Sequence, residues 1–151
     1  MRRYARRGRE AYNQKILTAS WGAVMNLEKV VFAFFILLAA TLNFGFFIGD
    51  IARPELHSIY ELFAAIVVSL IATVLKFGDR TQIGAIHLAT SLVADLQLIA
   101  AAVTWAIAVH VTEVGMTVHV TSSVVSLSGG ALFANIVSVV ILIIETVMMR
   151  R

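Results

Sequence analysis

The stretch GAIHLATSLVADLQLIAAAVTWAIAV, residues 84–109, decides the fold: a single charged side chain, Asp95, interrupts an otherwise apolar or weakly polar run. A bilayer's hydrocarbon is about 30 Å thick, and about 20 helical residues cross it. Working outward, three more runs of that kind lie at 30–49, 59–77 and 124–149, separated by short polar joints. A soluble domain of 151 residues could not hide four such rods. The sequence therefore predicts an all-α integral membrane protein, a four-transmembrane-helix bundle.

Composition sets the same bounds. Hydrophobic residues make up 60% of the chain, with one Pro and no Cys, and the mean hydropathy is +0.89. The lack of cysteine excludes disulfides, thiol catalysis, iron–sulfur ligation and thiolate metal sites. A net charge of +3 and a pI near 9.7 would suit nucleic acid. The arginines stand beside apolar spans, however, where membrane topology explains them and no nucleic-acid partner is needed.

Of the twelve basic residues, Arg2, Arg3, Arg6, Arg7, Arg9, Lys15, Lys29, Lys76, Arg80, Arg150 and Arg151 fall on one side of a four-span topology, and Arg53 alone falls opposite. By the positive-inside rule that crowded side is cytoplasmic, so both termini are expected in the cytoplasm. The outer face then receives loops Asp50–Ser58 and His110–Ser123.

Residues 1–24 form a separate basic segment ahead of the membrane domain, 25–151. Arg2, Arg3, Arg6, Arg7 and Arg9 precede Leu17, Trp21 and Val24, whose spacing makes one helical stripe. This reads as an amphipathic cytoplasmic helix held by anionic lipid. The competing reading is a disordered basic tail, since Gly8 and Asn13 weaken the helix. No short apolar core with a small-residue cleavage site marks a signal peptide.

Small residues offer packing faces. Gly45 and Gly49 end the first span, Gly129, Gly130 and Ala134 sit in the fourth, and alanines recur through the third. Such faces let backbones approach, within one chain or between copies. The joint around Gly78-Asp79-Arg80-Thr81 is short enough to force an antiparallel hairpin. Lys76 and Arg80 are expected to snorkel to headgroups, with Asp79 or Thr81 capping the next helix. No internal repeat is visible, so symmetry would come from a homo-oligomer.

Asp95 is the sharpest anomaly. Placing an Asp at mid-membrane costs about 2.5–3.5 kcal/mol, so it should face protein or water. Ser91 and His87 lie one and two turns before it on the same face. The fourth span offers Asn135, with Ser128, Ser138 and Glu145 on related faces, and the second offers Ser69 and Thr73 at similar depth. Asn43 lies in the outer half of the first span. An Asp, an Asn and hydroxyls are ligands that dehydrate a small cation or pass a proton. The same groups could instead lock the bundle by hydrogen bonds.

Near the outer face, His57 and Glu61 stand four apart, and His110, Glu113 and His119 share the last loop. His and carboxylate at such spacing could bind a divalent ion or gather cations at a mouth, although no tight motif such as HExxH occurs. No nucleophile elbow, P-loop or dinucleotide fingerprint is present, so neither an enzyme nor a cofactor is expected.

The runs Met25-Asn-Leu-Glu-Lys-Val-Val, Leu42-Asn-Phe-Gly-Phe-Phe-Ile-Gly-Asp50, Tyr60-Glu-Leu-Phe-Ala-Ala-Ile-Val-Val68, Leu75-Lys-Phe-Gly-Asp-Arg-Thr-Gln-Ile-Gly84 and Ser91-Leu-Val-Ala-Asp-Leu-Gln-Leu98 resemble an uncharacterised family of small four-span proteobacterial inner-membrane proteins. The resemblance covers about 25–151 and brings no function with it. Members would begin near Met25, so residues 1–24 are an extension or reflect an upstream start. The expected function is conduction or transport of a small cation through a polar path around Asp95, by a homo-oligomeric channel or transporter. The alternative is a non-conducting accessory subunit of a larger membrane complex, docked through the glycine faces.

Overall fold

The apolar runs all become helices. The computed structural model describes the backbone of residues 2–148 and the side chains of residues 10, 12–16 and 27–148. Helix α1 is Arg2–Phe47, α2 Ile59–Lys76, α3 Gln82–Ala106 and α4 Val118–Met148. A 3-10 turn, Pro54–Leu56, precedes α2, and a π turn, Ile107–Val111, ends α3; no strand occurs among the described residues. Four segments are long and apolar enough to cross a membrane: Leu27–Phe47, Ile59–Lys76, Gln82–Val111 and Val118–Met148. The chain is a multi-pass, all-helical membrane protein.

Contacts divide the chain into two units, Met1–Val31 and Phe32–Arg151. In the first, Tyr12 and Ile16 are exposed. The expected lipid anchors Arg2, Arg3, Arg6, Arg7 and Arg9, and the Leu17–Trp21–Val24 stripe, lie outside the described side chains.

The second unit is a bundle turned inside out relative to a soluble one. Phe34, Phe63, Leu96 and Phe133 are each 59–69% exposed, whereas Asn43, Ser69, Ser91 and Asn135 are fully buried. Lipid solvates the first set at no cost, while the second set would have to shed hydrogen bonds there. The polar positions therefore turn inward. One interior cluster holds Phe46, Leu62, Leu98 and Val124 with Ala65, Ala94, Ala101 and Ala131. A smaller one holds Phe32, Ile36 and Ala72.

Caps explain where the helices begin. The Thr81 hydroxyl accepts the Gly84 N–H at 2.9 Å and starts α3. Asp79 instead braces that cap, accepting the Thr81 N–H at 3.0 Å and its hydroxyl at 2.7 Å. The Thr117 hydroxyl accepts the Val120 N–H at 3.3 Å, so α4 starts six residues before its expected 124. The last loop is consequently shorter than His110–Ser123, and His119 lies on α4. Gly115, at φ 72°, supplies the left-handed turn that this tighter connection needs.

Candidate functional site

Helix register builds a polar centre in the second unit. On α2, Ser69, Thr73 and Lys76 recur at four and three residues, and on α3, His87, Ser91 and Asp95 recur at four; all six are buried. On α4, Thr121, Ser128, Asn135 and Ser138 share the buried face. The Thr73 hydroxyl donates to Asp95 Oδ2 at 2.6 Å and lies 3.1 Å from the Ser69 carbonyl. Asp95 Oδ1 is buried and has no hydrogen-bond partner, as do Ser69 Oγ, Ser91 Oγ and both amide atoms of Asn135.

Interhelix contacts fix the level of Asn135. Thr90 shares a short hydrogen bond with Ser138, and the Gln97 amide packs over Gly130. Asn135 lies between those two α4 positions, so it stands between Thr90 and Gln97 on α3, level with Ser91–Asp95. By helix register Asp95, Ser91, Ser69 and Asn135 stand within about two helical turns of one level. The structure adds Thr73 as the direct partner. Measured along α3 the carboxylate is mid-span. Measured along α2 it is one turn from the end, since Thr73 is three residues before Lys76.

Magnitudes show that Thr73 does not account for Asp95. An interhelical hydrogen bond in a membrane protein contributes about 0.6 kcal/mol and at most about 1.7. Inserting Asp costs about 2.5–3.5 kcal/mol. The remainder is unbalanced by any described contact of Oδ1, and Asn135 adds a second uncompensated group.

At the Lys76 end Lys76 and Asp79 are paired, while Arg80 is exposed. Lys76 does not snorkel outward: it is buried, 3.2 Å from Asp79 and 4.5 Å above the Phe32 ring. The flanking aromatic face and the carboxylate in the turn hold it in. Burial raises the Asp79 pKa, but the Thr81 hydroxyl and N–H and the Lys76 ammonium outweigh it, and the net shift is downward. His87 is fully buried, edge-on to Phe32, with Nε2 4.0 Å from Glu145.

At the opposite end, His57 is buried, with Nδ1 2.8 Å from the Phe46 carbonyl. A carbonyl only accepts, so Nδ1 carries the proton. The ring lies against Gly49, where a Cβ would come within 2.7 Å of it. Glu61 packs beside Gly45, and Asn43 bonds Ser128 reciprocally. Among the described residues no three His, Cys, Asp or Glu converge to hold a metal. The expected outer ion-gathering set is divided, with His57 turned inward while His110, Glu113 and His119 stay exposed. The glycines meet this chain's own side chains: Gly129 faces Phe47 and Gly130 faces Gln97, with Ala134 buried beside them. These faces are filled from within, not held open for a partner.

No curated protein and no solved structure matches the chain. A family model matches residues 56–146, a narrower segment than the 25–151 expected, and it contains Ser69, Thr73, His87, Ser91, Asp95, Asn135 and Glu145. The chain belongs to this family, a family of unknown function (DUF6394).

Proposed function

We propose that the protein transports a small cation across the membrane, with Asp95 as the charge-bearing site and Asn135, Ser91 and Ser69 as its oxygen donors. One observation carries the reading: a buried carboxylate has one oxygen held by Thr73 and the other unpartnered, level with an amide that is likewise unpartnered. A purely structural polar centre would pair its groups, because each orphan costs about 1–3 kcal/mol. The apolar cluster around Phe46, Leu62 and Leu98 stands between this centre and the His57 end, so transport requires that seal to part. A gated transporter fits better than a standing pore. The centre is walled by helices of one chain, and the proposal needs no second copy. Residence in a bacterial inner membrane with cytoplasmic termini belongs to the same proposal, carried by the one-sided basic residues.

The test is flux into liposomes containing the purified chain. Transport is expected in the wild type and lost in Asp95→Asn and Asp95→Ala. Equal flux in all three rejects the role. The alternative is a non-conducting accessory subunit of a larger membrane complex; purification of the chain only within such a complex, without Asp95-dependent flux, would favour it.

A further inference from the structure

Resting on the transport reading above, we infer that the ion exchanged at Asp95 is a proton, loaded from the Lys76 end by way of the buried His87 and the partly exposed Glu145 beside it. Three observations support it.

The first is ligand supply. Unpartnered oxygens in and beside the centre belong to Asp95, Asn135, Ser69, Ser91 and Gln97, with that of Thr121 farther along α4. Helices α2, α3 and α4 run unbroken through these positions, so their backbone carbonyls are engaged in helical hydrogen bonds. Sites for dehydrated alkali cations in transporters characteristically use carbonyls from unwound helix segments. At the positions of this centre there is no such segment, the irregular turn of α3 lying beyond it at Ile107–Val111, and a single carboxylate carries the charge. A proton needs one oxygen.

The second is the chemistry along the route. Ser91 lies halfway between His87 and Asp95, about 6 Å along the axis from each, and an intervening water completes each step. Among the described residues of this unit the titratable or charged groups at this end are Lys76 on α2, Asp79 and the exposed Arg80 in the turn, His87 on α3 and Glu145 on α4. Helix α1 brings none between Phe32 and Phe47 and presents Phe32, Ile36 and Ala39 instead. In the loading step an N–H bond of the His87 imidazolium, or the O–H bond of the Glu145 acid, breaks. An O–H bond forms on Asp95 Oδ1 after relay through water and Ser91. The pair is then reprotonated from solvent, and no electrons are transferred. Toward the His57 end the neighbouring layer is Phe46, Leu62 and Leu98 with the mutually paired Asn43 and Ser128, so loading in this conformation is one-sided.

The third is the amide. Asn135 has both its donor and its acceptor unpartnered. Its NH2 suits the Asp95 carboxylate and its carbonyl suits the carboxylic acid, so a small rotation serves both protonation states. This makes Asn135 a positioning residue.

The experiment uses the full chain in liposomes, with an internal pH dye and an imposed membrane potential, alongside uptake of labelled Na+ and Rb+. The expected result is potential-driven acidification independent of Na+, slowed roughly tenfold or more in Asp95→Asn and less severely in His87→Gln. Asp95-dependent uptake of Na+ or Rb+ without a pH change overturns the proton assignment and leaves the transport reading standing. Absence of any Asp95-dependent flux overturns both. Infrared difference spectra of folded wild type and Asp95→Asn provide a readout independent of transport. A carboxylic-acid C=O band that titrates and disappears in the variant is expected; a wild type lacking that band throughout its folded pH range overturns the assignment.

Discussion

Asn43 and Asn135 are one side chain in two settings, each fully buried in a membrane bundle. Asn43, in the half nearer His57, donates to the Ser128 carbonyl at 3.0 Å and accepts from the Ser128 hydroxyl. Asn135, level with Asp95, makes no hydrogen bond. Burial alone therefore does not distinguish structural adhesive from a working group. The transport proposal turns instead on satisfaction, because a paired amide has already recovered its desolvation and an unpaired one has not.

The largest effects should separate the two amides. Replacing Asn135 by Leu is expected to slow Asp95-dependent flux roughly tenfold or more, with the thermal midpoint in detergent unchanged or raised, since an unpaired amide is removed. Replacing Asn43 by Ala is expected to cost about 2–3 kcal/mol, from two lost hydrogen bonds, an orphaned Ser128 hydroxyl and a small cavity. Its flux per folded molecule should stay near wild type. Thermal unfolding paired with flux for both variants checks this, and a reversed pattern breaks the distinction.

The next effect concerns packing in the His57 half, where Asn43 is paired while His57 Nε2 and Thr121 Oγ1 are not. A Cβ on Gly49 would stand 2.7 Å from the His57 ring, whereas one on Gly45 would meet Glu61 at an ordinary 3.6 Å. Gly49→Ala must displace the ring and break its bond to Phe46, at a cost of about 1–3 kcal/mol. Gly45→Ala should be nearly silent. If these glycines served an interface between copies, both substitutions would instead change the oligomeric state seen by light scattering.

The spans were legible because four long apolar runs admit one physical solution, and the inward polar faces were legible because four-residue spacing repeats one helix face. Register between helices was not. Thr73 was visible as a hydroxyl at useful depth. So were Thr41, Thr104 and Thr146, however, and those bond their own helices' carbonyls, as membrane hydroxyls commonly do. Only the relative position of α2 and α3 singles out Thr73. Lys76 misled because a lysine at a span's end ordinarily reaches for headgroups. Its retention depends on Phe32, more than forty residues earlier, as well as on nearby Asp79. The early start of α4 had a readable signal in Thr117, an N-cap type set outside the apolar run.

The smallest expected effect concerns the charges that are already paired. Asp79 titrates below its ordinary value of 3.8, so its folded-state pKa is lower than its unfolded one. The stability it confers is complete above that ordinary value and is lost as pH falls through the depressed one. Asp79→Asn removes the partner of buried Lys76 and should cost about 1 kcal/mol near neutral pH, discounted because the carboxylate is partly exposed. The variant's thermal midpoint should also fall less than the wild type's when the sample is taken into the acid range below 3.8. Flux per folded molecule should be unaltered, because this carboxylate is spoken for by Thr81 and Lys76. A flux loss as deep as that of Asp95→Asn would place Asp79 on the path and erase the line between satisfied and unsatisfied groups.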